Sequence, residues 1–251
     1  EAFYGQKKAD GNAEPVSWGL NSTLVKENGQ LKEKVWKLNG KYGEAIEQII
    51  FGLNEAAKYA EYDLQKKVIA LLVKYYETGD LAVFDEYSIE WVKEMQGEID
   101  FVNGFIEVYG DPLGIKGSWE SIVNYKDKEA TQRAVMLSQN AQWFEDHSPV
   151  DPQYKKTKVK GVSAKVINVA MLGGDCYPAT PIGINLPNAE WIRERYGSKS
   201  VTIENITHAY FLDSLGNGML EEFAASSEEI DRAKTHGYLA GNLHTDLHEC
   251  L

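Results

Sequence analysis

From Gly43 to Met95 apolar side chains recur at the spacing of one helix face, and from Ile99 to Tyr109 that spacing gives way to a β-rich run. The change of period restricts the chain to folds that mix helices with strands. Ile46, Ile49, Ile50, Leu53, Ala56 and Ala60 share one side of a first helix; Leu64 to Tyr76 continues the pattern, and after the breaker Gly79-Asp80 a third helix is predicted over Leu81 to Met95. Three amphipathic helices in succession predict a helical layer. Phe101, Phe105, Ile106, Val108 and Tyr109 then read as a buried strand closed by the turn residues Asp111-Pro112-Leu113-Gly114, which leaves Tyr109 at a loop mouth.

Further along, Trp119 to Tyr125 reads as a strand, Lys128 to Phe144 as a helix and Val162 to Leu172 as a strand broken by Gly173-Gly174-Asp175. Pro178 to Pro187 is an extended segment punctuated by Pro and Gly. A short helix (Ala189 to Tyr196) and a strand (Val201 to Ile206) follow. Met219 to Thr235 and Tyr238 to Leu251 read as two helices parted by His236-Gly237. Residues 1 to 40, rich in Gly, Asn and Lys, read as a loop-heavy approach. The expected class is α+β.

Composition removes several function classes. The 251 residues, 43% of them hydrophobic, suffice for one large domain or two small ones. A formal charge of −12, spread along the chain, repels phosphate backbones, so nucleic acid is not an expected partner. No apolar run reaches the roughly 18 residues of a membrane span, so no membrane partner is expected either. Cys176 and Cys250 lie far apart and form no C-x-x-C pair, which points to reduced thiols and a cytoplasmic protein. The first residues carry neither an initiating Met nor a signal pattern, and the last helical pattern runs on to Leu251 without a stop signal. Both ends are therefore expected to be cuts, with the remainder of the same polypeptide as a partner.

The chemistry-bearing residues gather in the last helix. His248-Glu249 opens an H-E-x-x-H type of pattern, in which one turn sets two imidazoles toward zinc and the intervening Glu acts on a water. His244 and His248 are themselves four residues apart and form a rival pair, with Asp246 or a distant carboxylate as third ligand; spacing alone leaves both open. Cys250 is two residues from His248, off the metal face, and reads as a small buried apolar residue. No G-x-x-x-x-G-K-[ST] loop is present, which argues against nucleotide hydrolysis.

Three blocks together resemble a known family. Gly104-Phe105-Ile106-Glu107-Val108-Tyr109-Gly110-Asp111-Pro112, Gly183-Ile184-Asn185-Leu186-Pro187-Asn188 and His248-Glu249-Cys250-Leu251 occur in the order and at about the separations seen in the dipeptidyl peptidase III family of zinc exopeptidases. The likeness runs from about Leu71 to the end. The family's metal motif is H-E-x-x-G-H, and its bacterial members carry Cys-Leu after the Glu, as here. The resemblance implies a fragment of a two-lobed metallopeptidase that removes dipeptides from the N-terminus of oligopeptides and uses one zinc ion. It implies a mixed lobe with a β-barrel-like core (residues 1 to 127 and 169 to 218) and a mostly helical zinc lobe (128 to 168 and 219 to 251), with closure between them. His248 would be a zinc ligand and Glu249 the general base. Tyr109 would donate to the scissile carbonyl oxygen as it gains charge, and Glu107, Asn185 and Asn188 would hold the substrate's α-amine. The remaining ligands would lie beyond Leu251, leaving the fragment inactive alone. The segment Pro181 to Leu186 resembles the strand whose open edge pairs with substrate backbone. A non-catalytic peptide-binding module of the same fold is the alternative.

Overall fold

The computed structural model describes residues 2–9, 14–159 and 163–250. Ten α-helices and seven strands are formed there: α1 (Ala2–Ala9), β1 (Ser22–Glu27), β2 (Gln30–Val35), α2 (Gly43–Ala56), α3 (Asp63–Thr78), α4 (Leu81–Lys93), β3 (Ile99–Glu107) and β4 (Ser118–Lys126) come first. They are followed by α5 (Lys128–Gln139), α6 (Ala141–His147), β5 (Ser163–Gly174), β6 (Gly183–Leu186), α7 (Glu190–Tyr196), β7 (Lys199–Ile203), α8 (Glu204–Gly216), α9 (Met219–Phe223) and α10 (Ser227–Cys250). Contacts divide the chain into two compact units, one of residues 1–97, 103–120 and 187–196 and one of 98–102, 121–186 and 197–251. This division by packing is not the lobe division expected from the resemblance, and the latter stays a proposal.

In the first unit the three predicted helices form, although Ala56 of the expected apolar face is exposed and Ala60 lies beyond the first helix. Ile46 and Leu53 of α2 are buried, as are Val68, Ile69, Leu71, Leu72, Tyr75 and Tyr76 of α3 and Leu81, Val83, Tyr87, Trp91 and Val92 of α4. Gly79 ends α3 in the left-handed conformation (φ 70°), donating its N–H to the Tyr75 carbonyl at 2.7 Å. A Cβ there would also lie 2.3 Å from Val35 Cγ1, so space as well as φ requires glycine. The next residue, Asp80, caps α4 by accepting from the Ala82 N–H at 2.9 Å. Two adjacent residues thus stop one helix and start the next. The Tyr76 hydroxyl, buried at the end of α3, donates to Asn103 Oδ1 on β3 and accepts from the Trp119 indole N–H (2.9 Å) on β4. It ties the helical layer to both strands beside the candidate site.

The loop-heavy reading of the first 40 residues is corrected. β1 and β2 pair as an antiparallel hairpin with Glu27 opposite Gln30, turning on Asn28 (φ 51°) and Gly29 (φ 83°). Positive φ at both turn residues is the geometry whose twist matches that of paired strands, and Asn-Gly favours it.

The order of the five-stranded sheet is β3-β4-β5-β7-β6, with β5 parallel and β6 antiparallel to β7, and β5, β6 and β7 lie in the second unit. β3 and β4 are the strands through which the chain passes from one unit to the other. β3 and β6 are the two end strands; the sheet is open, and no closed barrel is formed among the described residues. The barrel-like core expected above is therefore replaced by an open sheet. Helix α5 packs on β5 through Ala130, Ala134 and Val166, and is capped by Asp127, which accepts from Ala130 N at 2.9 Å. Within the sheet, buried Asp100 of β3 accepts from Lys199 Nζ of β7 at 2.7 Å, with Lys165 Nζ of β5 at 3.7 Å from the same oxygen. All three side chains are buried, so each charge depends on its partners rather than on water.

Several boundaries differ from the sequence reading: the strand read to Tyr109 ends at Glu107, and β5 runs on through Gly173 and Gly174. The helix read over Lys128 to Phe144 is two helices that meet at Asn140. The strand read to Ile206 ends at Ile203, where α8 begins. α10 is continuous through His236-Gly237; the break falls at Ala224–Ser226 instead. Gly237 is tolerated inside the helix because a Cβ there would lie 3.3 Å from the Phe211 ring of α8, so the glycine allows close packing.

Asp85 of α4 has its carboxyl raised from 3.8 to about 7 by burial first and then by the neighbouring charges of Asp80 and Glu14. Between those two values the native chain binds more protons than the unfolded one, so stability falls as pH rises from about 4 to about 7 and this contribution is level above. Asp85→Asn is expected to flatten that decline and to raise the melting temperature at pH 8 relative to the parent; thermal unfolding followed from pH 4 to pH 8 checks it.

Candidate functional site

Glu107, Tyr109 and Asn188 come together in the first unit although Asn188 is 81 residues from Glu107 in sequence. Glu107 is the last residue of β3, and the Asn188 side-chain amide, just before α7, donates to its Oε1 at 3.1 Å. Tyr109 lies in the turn beyond the strand and is 88% exposed. The Glu107 carboxylate beside it is the main cause of a phenol pKa above the ordinary value; burial adds to that, as do a hydrogen bond to Glu107 and the more distant Glu120 charge. A proton-bearing phenol is therefore held as a donor next to an acceptor carboxylate. The following turn is locked by Asp111, whose Oδ2 accepts from the N–H groups of Ile115 (3.0 Å) and Lys116 (2.9 Å). Those two bonds, Lys116 first, hold the Asp111 carboxyl below its usual value.

An apolar cavity of about 430 Å³ in the same unit is walled by Trp36, Tyr42, Ile46, Phe105 and Trp119. Its lining contains no carboxylate, imidazole or amine, so the reactive groups are not there.

The other sequence-predicted residues lie in the second unit. Asn185 sits on β6 opposite Ser200 of β7, partly buried, and its Oδ1 has no hydrogen-bond partner. Among the described residues β6 is paired on one side only, to β7, leaving an open edge along Gly183–Leu186. His244 and His248 are both exposed on α10, one helical turn apart and so on one face. The side chains of Glu249 and Cys250 lie outside the described residues. Among the described residues no group of three or more His, Cys, Asp or Glu side chains could hold a metal ion. Two neutral imidazoles at this spacing fit zinc as part of a donor set, and a complete set would need more. Cys176 is buried.

The expectation of Asp246 as a third ligand beside His244 and His248 is corrected, because it is buried while both histidines are exposed, and the network it joins was not found from the sequence. Asp246, fully buried on α10, accepts from the Thr202 hydroxyl of β7 at 2.8 Å, and its Oδ2 lies 3.6 Å from Arg133 Nε of α5. Glu204, first residue of α8, accepts from Tyr238 (2.6 Å) and Asn242 (3.1 Å) of α10 and from Arg133 Nη2 (3.3 Å). Burial pushes the Asp246 carboxyl up, against the Thr202 bond and the Arg133 charge. The signal was available: Tyr238, Asn242 and Asp246 repeat every four residues, a polar stripe on one face.

Comparison with known proteins identifies the family. Residues 19–250 match the model of Peptidase family M49, and the chain belongs to that family. It is 25% identical over 217 residues to dipeptidyl peptidase 3 of Dictyostelium discoideum, covering 82% of this chain and 30% of that protein. Among solved structures it is similar to DPP III from Caldithrix abyssi, with a TM-score of 0.81, 23% identity, and 99% of this chain against 47% of that one. DPP III from Corallococcus sp. strain EGB gives a TM-score of 0.79 at 22% identity, with 99% and 45% covered. The fold is thus that of DPP III structures, and the chain spans less than half the length of each of these three proteins.

Replacing the Glu107 charge tests the described geometry directly. Glu107→Gln is expected to lower the pKa of the Tyr109 phenol, because its largest raising influence is removed. An ultraviolet phenolate titration, differenced against Tyr109→Phe to isolate one of 14 tyrosines, reads the shift.

Proposed function

We propose that this chain is part of a zinc-dependent exopeptidase that releases dipeptides from the N-terminus of oligopeptides. The observation that carries the reading is the convergence of Glu107, Asn188 and Tyr109, three side chains drawn from two of the family-like blocks. A carboxylate oriented by an amide and flanked by a phenol is suited to a ligand that presents a cation next to a carbonyl, as a peptide's free amino end does. The open edge of β6 supports the same reading, since backbone pairing would hold a peptide with little regard to its side chains.

In this mechanism Glu107, Asn188 and Asn185 hold the α-amine and fix which bond is cut. His248, with ligands elsewhere in the polypeptide, would hold the zinc, which when bound would supply a Lewis acid to polarise the reacting groups. Glu249 takes the proton of the attacking water and passes it to the leaving amine. Tyr109, kept protonated, donates its hydroxyl to the carbonyl oxygen as negative charge develops there. The lobe boundaries after residues 127, 168 and 218 and a cytoplasmic location belong to the same proposal. No helix among the described residues is long and apolar enough to cross a membrane, and the charge of −12 disfavours nucleic acid.

In the complete protein Glu249→Ala and Tyr109→Phe are each expected to lower kcat by about 10²- to 10³-fold, and a chelator to abolish dipeptide release. Turnover unaffected by chelator and by Glu249→Ala, with oligopeptide binding retained, would select the peptide-binding module instead. The 251-residue chain by itself is expected to release no dipeptide, as measured on a chromogenic dipeptidyl substrate, because His248 alone cannot hold catalytic zinc.

A further inference from the structure

We propose that the polar network formed by buried Thr202, Asn242 and Asp246 with half-buried Arg133, Glu204 and Tyr238 is a positioning device that sets the rotation of α10 and so the direction of His248. This rests on the reading of His248 as a zinc ligand. The network itself rests on contacts within one compact unit.

The inward face of α10 is polar where a docked helix is ordinarily apolar. Asn242, Thr245 and Asp246 are buried, whereas Leu239 and Leu243 of the same helix are 52% and 38% exposed. An apolar interface is non-directional and would let a helix roll by a fraction of a turn at small cost. Hydrogen bonds depend on distance and angle and do not allow this freely. Three elements each grip the helix through one side chain: β7 by Thr202 on Asp246, α8 by Glu204 on Tyr238 and Asn242, and α5 by Arg133. Arg133 also joins the two carboxylates, lying 3.3 Å from Glu204 and 3.6 Å from Asp246.

At roughly 100° per residue His248 lies about 160° around the helix from Asp246, and His244 is equally far round. Both are exposed, as that placement requires. An imidazole about 5 Å from the axis moves roughly 2 Å when the helix rolls by about 20°. Metal–ligand distances tolerate about 0.2 Å. Rotation therefore has to be fixed far more tightly than packing of leucines would fix it.

The test uses the complete protein with Asp246→Asn, Thr202→Val and the pair Thr202→Val with Asp246→Leu, which replaces the bond by apolar contact. Asp246→Asn is expected to weaken zinc, read by chelator competition, about 10- to 100-fold. It should lower kcat while leaving KM within about twofold. Amide hydrogen exchange over residues 242–248 in zinc-free protein should quicken about tenfold, a readout that holds whether or not His248 binds metal. The double variant is expected to regain thermal stability without regaining zinc affinity or exchange protection, which a merely structural network would not do. If Asp246→Asn does not fold, Thr202→Val, lacking only a hydroxyl donor, carries the same measurements. Native exchange protection in the double variant overturns the proposal. Altered exchange in a parent protein that binds no zinc would instead sink the reading of His248 while leaving the helix clamp standing.

Discussion

A carboxylate buried between two ammonium groups is the constraint on which the second unit depends. Asp100 cannot remain ionised away from water without a cation, and Lys199 and Lys165 meet it from β7 and β5. The cost of taking three charges out of solvent is recovered only if the strands hold one register, since a slip of one residue turns each lysine to the other face. A network of apolar residues would tolerate such a slip better. With β7 fixed, the strand that pairs with it and the helix that hydrogen-bonds to it are fixed as well: Asn185 stands opposite Ser200, and Asp246 meets Thr202. Two of the residues proposed to act on substrate or metal, Asn185 and His248, are thus referenced to one strand.

The first unit solves a different problem, which is to hold a partly solvated cluster in shape. Glu107 and Tyr109 sit at the end of β3, where a strand stops constraining its neighbours. Order is restored from three directions. Asp111 locks the turn that follows, Asn188 braces the carboxylate from a segment far along the chain, and Tyr76 anchors β3 and β4 to α3 beneath. Each is a directional contact at the periphery of an apolar helical layer, so the rigidity of the cluster comes from polar geometry while its stability comes from burial.

The helices of this layer were legible in the sequence because a 3.6-residue period survives any tertiary arrangement, and Gly79-Asp80 marks a boundary with residues that have strong conformational preferences. The α+β class and the Glu107–Asn188 block followed from the same pattern and from resemblance. Partners distant in sequence were not legible. Nothing local says that Asp246 will meet Thr202, or that Trp119 will reach Tyr76, because those meetings depend on sheet order. The barrel-like core was an expectation from resemblance alone, and strand order replaces it with an open sheet. The hairpin at Asn28-Gly29 was legible and overlooked: the dipeptide is a strong turn signal, masked by the weak apolar alternation of a mostly exposed ribbon. The helix break assigned to Gly237 failed for the opposite reason, since glycine there answers a need for space.

That need has a reach beyond its own position. Gly237 lets α10 lie against the Phe211 ring with almost nothing between them. Eleven residues of helix, about 16 Å of stiff rod, separate it from His248. A methyl group at position 237 would press on that ring by a few tenths of an ångström, and the adjoining Tyr238–Glu204 hydrogen bond, one residue along, would take up the displacement first. Sequence drift at an unreactive glycine is thereby felt by the polar grip beside it before it reaches anything further along the rod.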